Sequence, residues 1–127
     1  YHKSMRKAAY MWILVCAITL LVLKVDLYFI FPWFDNLMHA LGGIAVGYTV
    51  LAFSFRYEIQ LGWLRKWYGW LLAIGLVVLG WEVFEYTLKL IHIRSWEGLT
   101  DSFTDICAGY VGSLLAYYTM FDSKNLK

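Results

Sequence analysis

The chain is short of charge, of proline and of cysteine. Asp, Glu, Lys and Arg make up only 16% of its 127 residues, against about 25% in soluble domains. With so little charge on so apolar a chain, a disordered protein is excluded and a soluble globular domain disfavoured. A single proline leaves long helices uninterrupted, since proline breaks helix interiors. The two cysteines, Cys16 and Cys107, lie in apolar stretches without a CxxC or Cys/His spacing. A zinc knuckle or redox motif is therefore unsupported, and both read as small hydrophobes in lipid. Lys+Arg 11 against Asp+Glu 9 gives a formal +2 with no dense basic run, so no nucleic-acid surface is indicated, because phosphate neutralisation needs clustered cations. No strand-borne glycine-rich phosphate loop is present. Nothing fixes a base beside Ser95 or Ser102 for nucleophilic catalysis.

What the chain has in excess is apolar residues: 61% hydrophobic, with 7 Trp, 10 Tyr and 8 Phe, and a mean hydropathy of +0.59. A spanning helix needs about 20 mostly apolar residues. Four stretches meet that need, at about 8–31, 36–55, 67–91 and 101–121. They are too long, and alternate too little, for barrel strands. The expected fold is all-α: a polytopic membrane protein, an antiparallel bundle of four transmembrane helices forming one domain over residues 1–127. The first stretch is too long for a cleaved signal peptide and lacks its small-residue cleavage site. Residues 1–4, ahead of Met5, read as a tag remnant or the end of a longer segment.

The cations set an orientation. Lys3, Arg6 and Lys7 precede the first span, Arg56, Arg65 and Lys66 lie between the second and third, and Lys124 and Lys127 follow the fourth; only Lys24, Lys89 and Arg94 fall on the other side. The positive-inside rule then places both termini and the middle connection in the cytoplasm of a multi-pass cell-membrane protein. Aromatics at positions 28–34 and 53–70 read as interfacial belts.

The acidic residues are placed differently. The second span opens with Asp35-x-x-x-His39, the third carries Glu82-x-x-Glu85, and the fourth opens with Asp101-x-x-x-Asp105. Each spacing puts both members on one helix face. In an antiparallel arrangement the six groups fall at matching depth in the outer half of the bilayer, Asp35, Glu85 and Asp101 above and His39, Glu82 and Asp105 about one turn below. Small residues continue the same faces: Gly42, Gly43 and Gly47, Ala108 and Gly112, and Gly75. Below the cluster these faces are expected to meet as a tight seam.

Five carboxylates in low dielectric need compensation. Divalent metal is one route, with two ions offsetting most of the charge. Protonation, as in a proton pathway, is another, and pairing with Lys89, His92 or Arg94 is a third. An oxygen-rich set with one imidazole suits Mg²⁺, Mn²⁺, Fe²⁺ or Zn²⁺ and disfavours Cu⁺. The pattern is not the Glu-x-x-His pair of ferritin-like di-iron bundles.

Asp35-x-x-x-His39 with Gly42-Gly43, Gly80-Trp81-Glu82-x-x-Glu85, and Asp101-x-x-x-Asp105-x-x-x-Gly109-x-x-Gly112 together resemble the YjdF-type small integral membrane proteins. More distantly, the chain is similar to the VanZ-like family, whose members are associated with glycopeptide-antibiotic resistance. The likeness covers residues 33–115. It departs from the VanZ-like pattern at Glu85, where that family has Gln, and near Gly109, where it has Asn. The resemblance implies a polar site at the same six positions and names no reaction.

Three functional readings follow. The first is a metal-dependent hydrolase or transferase acting on lipid head groups or lipid-linked phosphates. In it, Asp35, His39, Glu82, Glu85, Asp101 and Asp105 are metal ligands, His39 or Glu82 the general base, and Lys89 and Arg94 the anion holders. The second is a proton- or cation-binding transport protein, which needs an oligomer or a membrane partner to complete a path. The third is an accessory subunit whose acidic cluster only stabilises helix packing. The sequence leaves open the metal and its stoichiometry, the reaction and the oligomeric state.

Overall fold

A computed structural model describes residues 2–25, 31–92 and 99–125, with side chains at all of these except 23, 88–92, 99–101 and 121–125. Every regular element among the described residues is helical. In chain order these are α1 (His2–Val25), α2 (Phe34–Arg56), the short α3 (Glu58–Leu61), a 3₁₀ turn (Gly62–Arg65), α4 (Trp67–His92) and α5 (Leu99–Asn125). The expected spans over 36–55 and 67–91 lie within α2 and α4. The first expected span is shifted: α1 starts six residues earlier than residue 8, and its expected continuation over 26–30 lies outside the described residues.

Local chemistry sets the ends of α2. Pro32 and Trp33 form a turn in which the Phe34 N–H donates to the Phe31 carbonyl at 3.0 Å. Proline fixes φ for such a turn. Asp35 stands in the first turn, where a carboxylate complements the helix dipole. From Asp35 to Arg56 the helix rises roughly 32 Å, close to the ~30 Å hydrocarbon core of a bilayer. Beyond Arg56 the chain turns a corner held by polar contacts. Arg65 donates to Glu58 at 2.6 Å, and the Tyr117 hydroxyl donates to the Arg65 carbonyl at 2.8 Å, tying the corner to α5.

Among the described residues, three helices are long and apolar enough to cross a membrane: His2–Val22, Phe34–Arg56 and Trp67–Thr87. Much of their surface is apolar and uncovered, with Tyr10, Leu20, Leu76 and Val83 each at least 66% exposed. In water such surface would cost about 25 cal/mol per Å²; in lipid it costs nothing. α5 is long as well, but Asp105, two glycines and several tyrosines lower its hydropathy.

α2 is central. Contacts of Ala40 with Gly112, Gly43 with Gly109, and Gly47 with Ser113 and Ala116 show it running parallel to α5. α1 runs antiparallel to α2, with the Trp12 indole donating to Thr49 at 3.0 Å. α4 runs antiparallel to α5, with Tyr110 reaching the Leu71 carbonyl and Trp70 against Tyr117 at 5.1 Å between centroids. The α2–α5 crossing depends on missing side chains. A Cβ at Gly43 would collide with the Gly109 carbonyl, and one at Gly112 with the Ala40 carbonyl; one at Gly47 would sit 2.8 Å from Ala116 Cβ. The expected seam therefore exists, with Gly112 on α5 pressed against Ala40 and Gly109 against Gly43. Gly42 takes no part in it, because a Cβ there meets nothing within 4 Å. Gly75 instead makes room for the Tyr110 hydroxyl. Below the seam, Leu51, Trp70, Ile74, Val78 and Met120 form the buried core.

Candidate functional site

His39 lies one turn into α2 from Asp35, and its imidazole is surrounded by carboxylates from three helices. Its Nε2 is 3.8 Å from Asp35 Oδ1, 4.0 Å from Glu85 Oε2 and 3.6 Å from Asp105 Oδ2, while Nδ1 is 4.0 Å from Glu82 Oε1. The sequence pattern led to two layers of three; the described members instead converge on this one ring. The directions of the helices explain the difference. Side chains lean toward the N-terminus of their own helix. His39 and Asp105, on parallel helices, lean toward the end where Asp35 sits. α4 runs the other way, so Glu85 leans down to meet them. Of the other expected site residues, the side chains of Asp101 and Lys89, and all of Arg94, lie outside what the structure describes.

Burial falls off in one direction. Side-chain exposure is 4% at Asp105, 10% at His39 and 13% at Glu82, rising to 26% at Glu85 and 32% at Asp35. The open side of the cluster is thus the Asp35/Glu85 side, and the closed side is the glycine seam. Four carboxylates around one imidazole stay net negative whether or not the ring is protonated. Charge at such burial is costly unless it is compensated, and a divalent ion, protons or a neighbouring cation would each compensate it.

The spacing bears on which of these the site suits. All four His39 distances exceed the 2.7–3.2 Å of an N–H···O hydrogen bond. Asp35, His39 and Asp105 offer ligand atoms within 4.8 Å of one another, and so do His39, Glu82 and Glu85. Ligands at about 2.0–2.2 Å from a single ion lie roughly 3–4.4 Å apart. The donor chemistry of both triads suits a divalent ion, with His39 common to the two, and a spread of up to 4.8 Å would have to draw in slightly around a single ion.

One further residue, Trp81, belongs to the site. The Trp81 indole N–H donates to Glu85 Oε1 at 2.8 Å, which orients the carboxylate and leaves Oε2 toward His39. Its signal in the sequence was the i,i+4 spacing to Glu85, easily taken for an interfacial aromatic. Asn36, beside Asp35, buries its amide oxygen without a hydrogen-bond partner among the described residues. Adjacent to the cluster is a cavity of about 260 Å³, whose polar end is formed by Asp35, His39 and Glu85.

No curated protein and no solved structure matches the chain. A family model described as "Predicted membrane protein (DUF2238)" matches residues 1–124. That match takes in all three membrane-capable helices and every described residue of the cluster. The chain belongs to this family of membrane proteins, which is the family of the YjdF-type proteins.

Proposed function

We propose that the protein is a metal-dependent membrane enzyme, a hydrolase or transferase acting on lipid head groups or lipid-linked phosphates. The observation that carries this reading is the convergence of Asp35, Glu82, Glu85 and Asp105 within 4.0 Å of His39. In this reading α5 is a fourth span, the termini and the α2–α4 connection are cytoplasmic, and the site opens toward the outer leaflet. The protein is then a multi-pass protein of the cell membrane.

Asp35, His39 and Asp105 would hold the ion, Zn²⁺, Mn²⁺, Mg²⁺ or Fe²⁺, with Glu85 of the second triad reaching it through the His39 side and Asp101 as a further ligand from α5. When bound, the ion supplies a Lewis acid that polarises a phosphoryl or ester oxygen. Glu82, against Nδ1 of His39, is placed to accept a proton from an attacking water or hydroxyl. His39 could take that role only if it is not a ligand at all, since a neutral imidazole has one basic nitrogen. Trp81 fixes Glu85, and Lys89 and Arg94 are the candidates for holding an anionic group. A conducting role has less support. Among the described residues, the Gly43–Gly109 contact and the core around Leu51 and Ile74 close the way toward the other membrane face.

Metal analysis of protein purified in detergent, with and without chelator, tests the reading. The expected result is a stoichiometric divalent ion and a rise in Tm on adding it back. A protein that holds no ion and gains no stability from any divalent cation would overturn it.

A further inference from the structure

α1 and α4 both flank α2, yet they leave a groove between them. Trp12, Val15 and Thr19 form one wall and Val77, Val78 and Trp81 the other. The floor is α2 from Asp35 to Val46, through Gly42. This is the cavity of about 260 Å³ whose polar end meets the cluster.

Gly42 is the telling residue of the floor. A glycine inside a helix costs about 0.5–1 kcal/mol relative to alanine, and at Gly43, Gly47 and Gly112 close helix approach accounts for it. At Gly42 it does not: a side chain there would meet no atom within 4 Å, and the residue lines the groove. Its missing side chain keeps the groove open.

The dimensions identify what fits. From Asp35 to Val46 the floor rises roughly 16 Å, about the ~15 Å half-thickness of a bilayer's hydrocarbon core. The groove therefore begins at the polar end of α2 and runs through one leaflet to near the midplane, apolar along its length and acidic at its head. A helical partner of that length, about 10 Å across, would fill roughly 1,200 Å³, more than the approximately 910 Å³ of empty space in the groove, its open side included. We propose that the groove seats one acyl chain of a membrane phospholipid, with the head group at the His39 cluster. The proposal rests on the lipid-directed reading above and adds where the substrate's chain lies.

The test uses the purified full chain in phospholipid vesicles containing a phosphatidylglycerol with a photoactivatable diazirine midway along one acyl chain. Adducts mapped by mass spectrometry should concentrate on Trp12–Thr19 and Val77–Trp81. Gly42→Phe should lower those adducts several-fold while leaving adducts at the exposed Val111 and Tyr118 unchanged. Val77→Trp, which narrows the groove from the opposite wall, should do the same if Gly42→Phe fails to fold. Adducts spread evenly over the outward faces, or groove adducts untouched by a folded filling variant, overturn the proposal. Metal content measured on the same samples separates the two readings. Groove adducts without bound metal retain the acyl seat and remove both the enzyme reading and the placing of an anionic head group at the cluster; bound metal with evenly spread adducts removes the acyl seat alone.

Discussion

Asp105 is the most buried of the four described carboxylates around His39, at 4% side-chain exposure, and its burial makes the sign of a substitution informative. In metal-free protein, Asp105→Asn removes one of several like charges held in low dielectric, so the variant should be more stable than the wild type in chelator. With a divalent ion present it loses a ligand, so the order should reverse. A difference of about 1 kcal/mol moves Tm by roughly 4 °C in a chain of this size, enough to read by thermal denaturation in detergent with chelator or excess Mn²⁺. A cluster that only held helices together would lose stability in both conditions. Trp81→Phe probes the same site from outside. It keeps the ring but removes the donor to Glu85, and the loss of such an orienting partner typically costs about 10–100-fold in metal affinity. Competition titration with a chromophoric chelator would measure it, and an unchanged affinity would show that Glu85 is not a ligand.

At the scale of elements, the helical period alone placed Asp35, His39 and the following glycines on one side of α2, and it placed Glu82 and Glu85 together on α4. Which neighbour each glycine meets was beyond the period, since that depends on crossing angles set by side chains on two helices at once. Gly42 and Gly43 differ by one position in sequence, yet one faces an open groove and the other the Gly109 carbonyl. The convergence on a single imidazole, in place of two layers, was hidden for the same reason: depth along a helix says nothing of which way a side chain leans. The corner at Glu58–Arg65 was also missed, because it is held by Tyr117, about fifty residues further along. The glycine difference predicts opposite outcomes. Gly43→Val forces a side chain into backbone and should destabilise by about 3 kcal/mol or more. Gly42→Ala should stabilise by about 0.5–1 kcal/mol. Thermal melts of the two variants would decide, and a damaging Gly42→Ala would mean that the floor of the groove is closed in the folded protein.

Over the whole molecule, the charges separate along the helix axes. Arg65 lies over the Phe55 ring at 5.0 Å, at the end of α2 opposite to Asp35, and Lys7 lies over the Tyr48 ring at 5.3 Å, just past the middle of that helix. Lys24 and Glu58 apart, the described cations thus lie toward one end of the bundle and the carboxylates around His39 toward the other. Loop cations set orientation in membranes, so this arrangement predicts a definite topology, and it bears on α5, whose hydropathy is the weakest of the long helices. Parallel packing of α5 against α2 along the glycine seam carries it past the same depth, from Asp105 beside His39 to Thr119 beside Tyr48, whose hydroxyls lie 2.7 Å apart. On the proposed topology, a helix so held crosses with α2. Single cysteines introduced after replacing Cys16 and Cys107 by alanine would test this with a membrane-impermeant maleimide. Glu58→Cys and Asn125→Cys should label only from the cytoplasmic side, and Phe31→Cys and Ser102→Cys only from the outside. If Ser102→Cys and Asn125→Cys label from the same side, α5 does not cross, and the carboxylate it contributes reaches the site from a helix lying at the membrane surface.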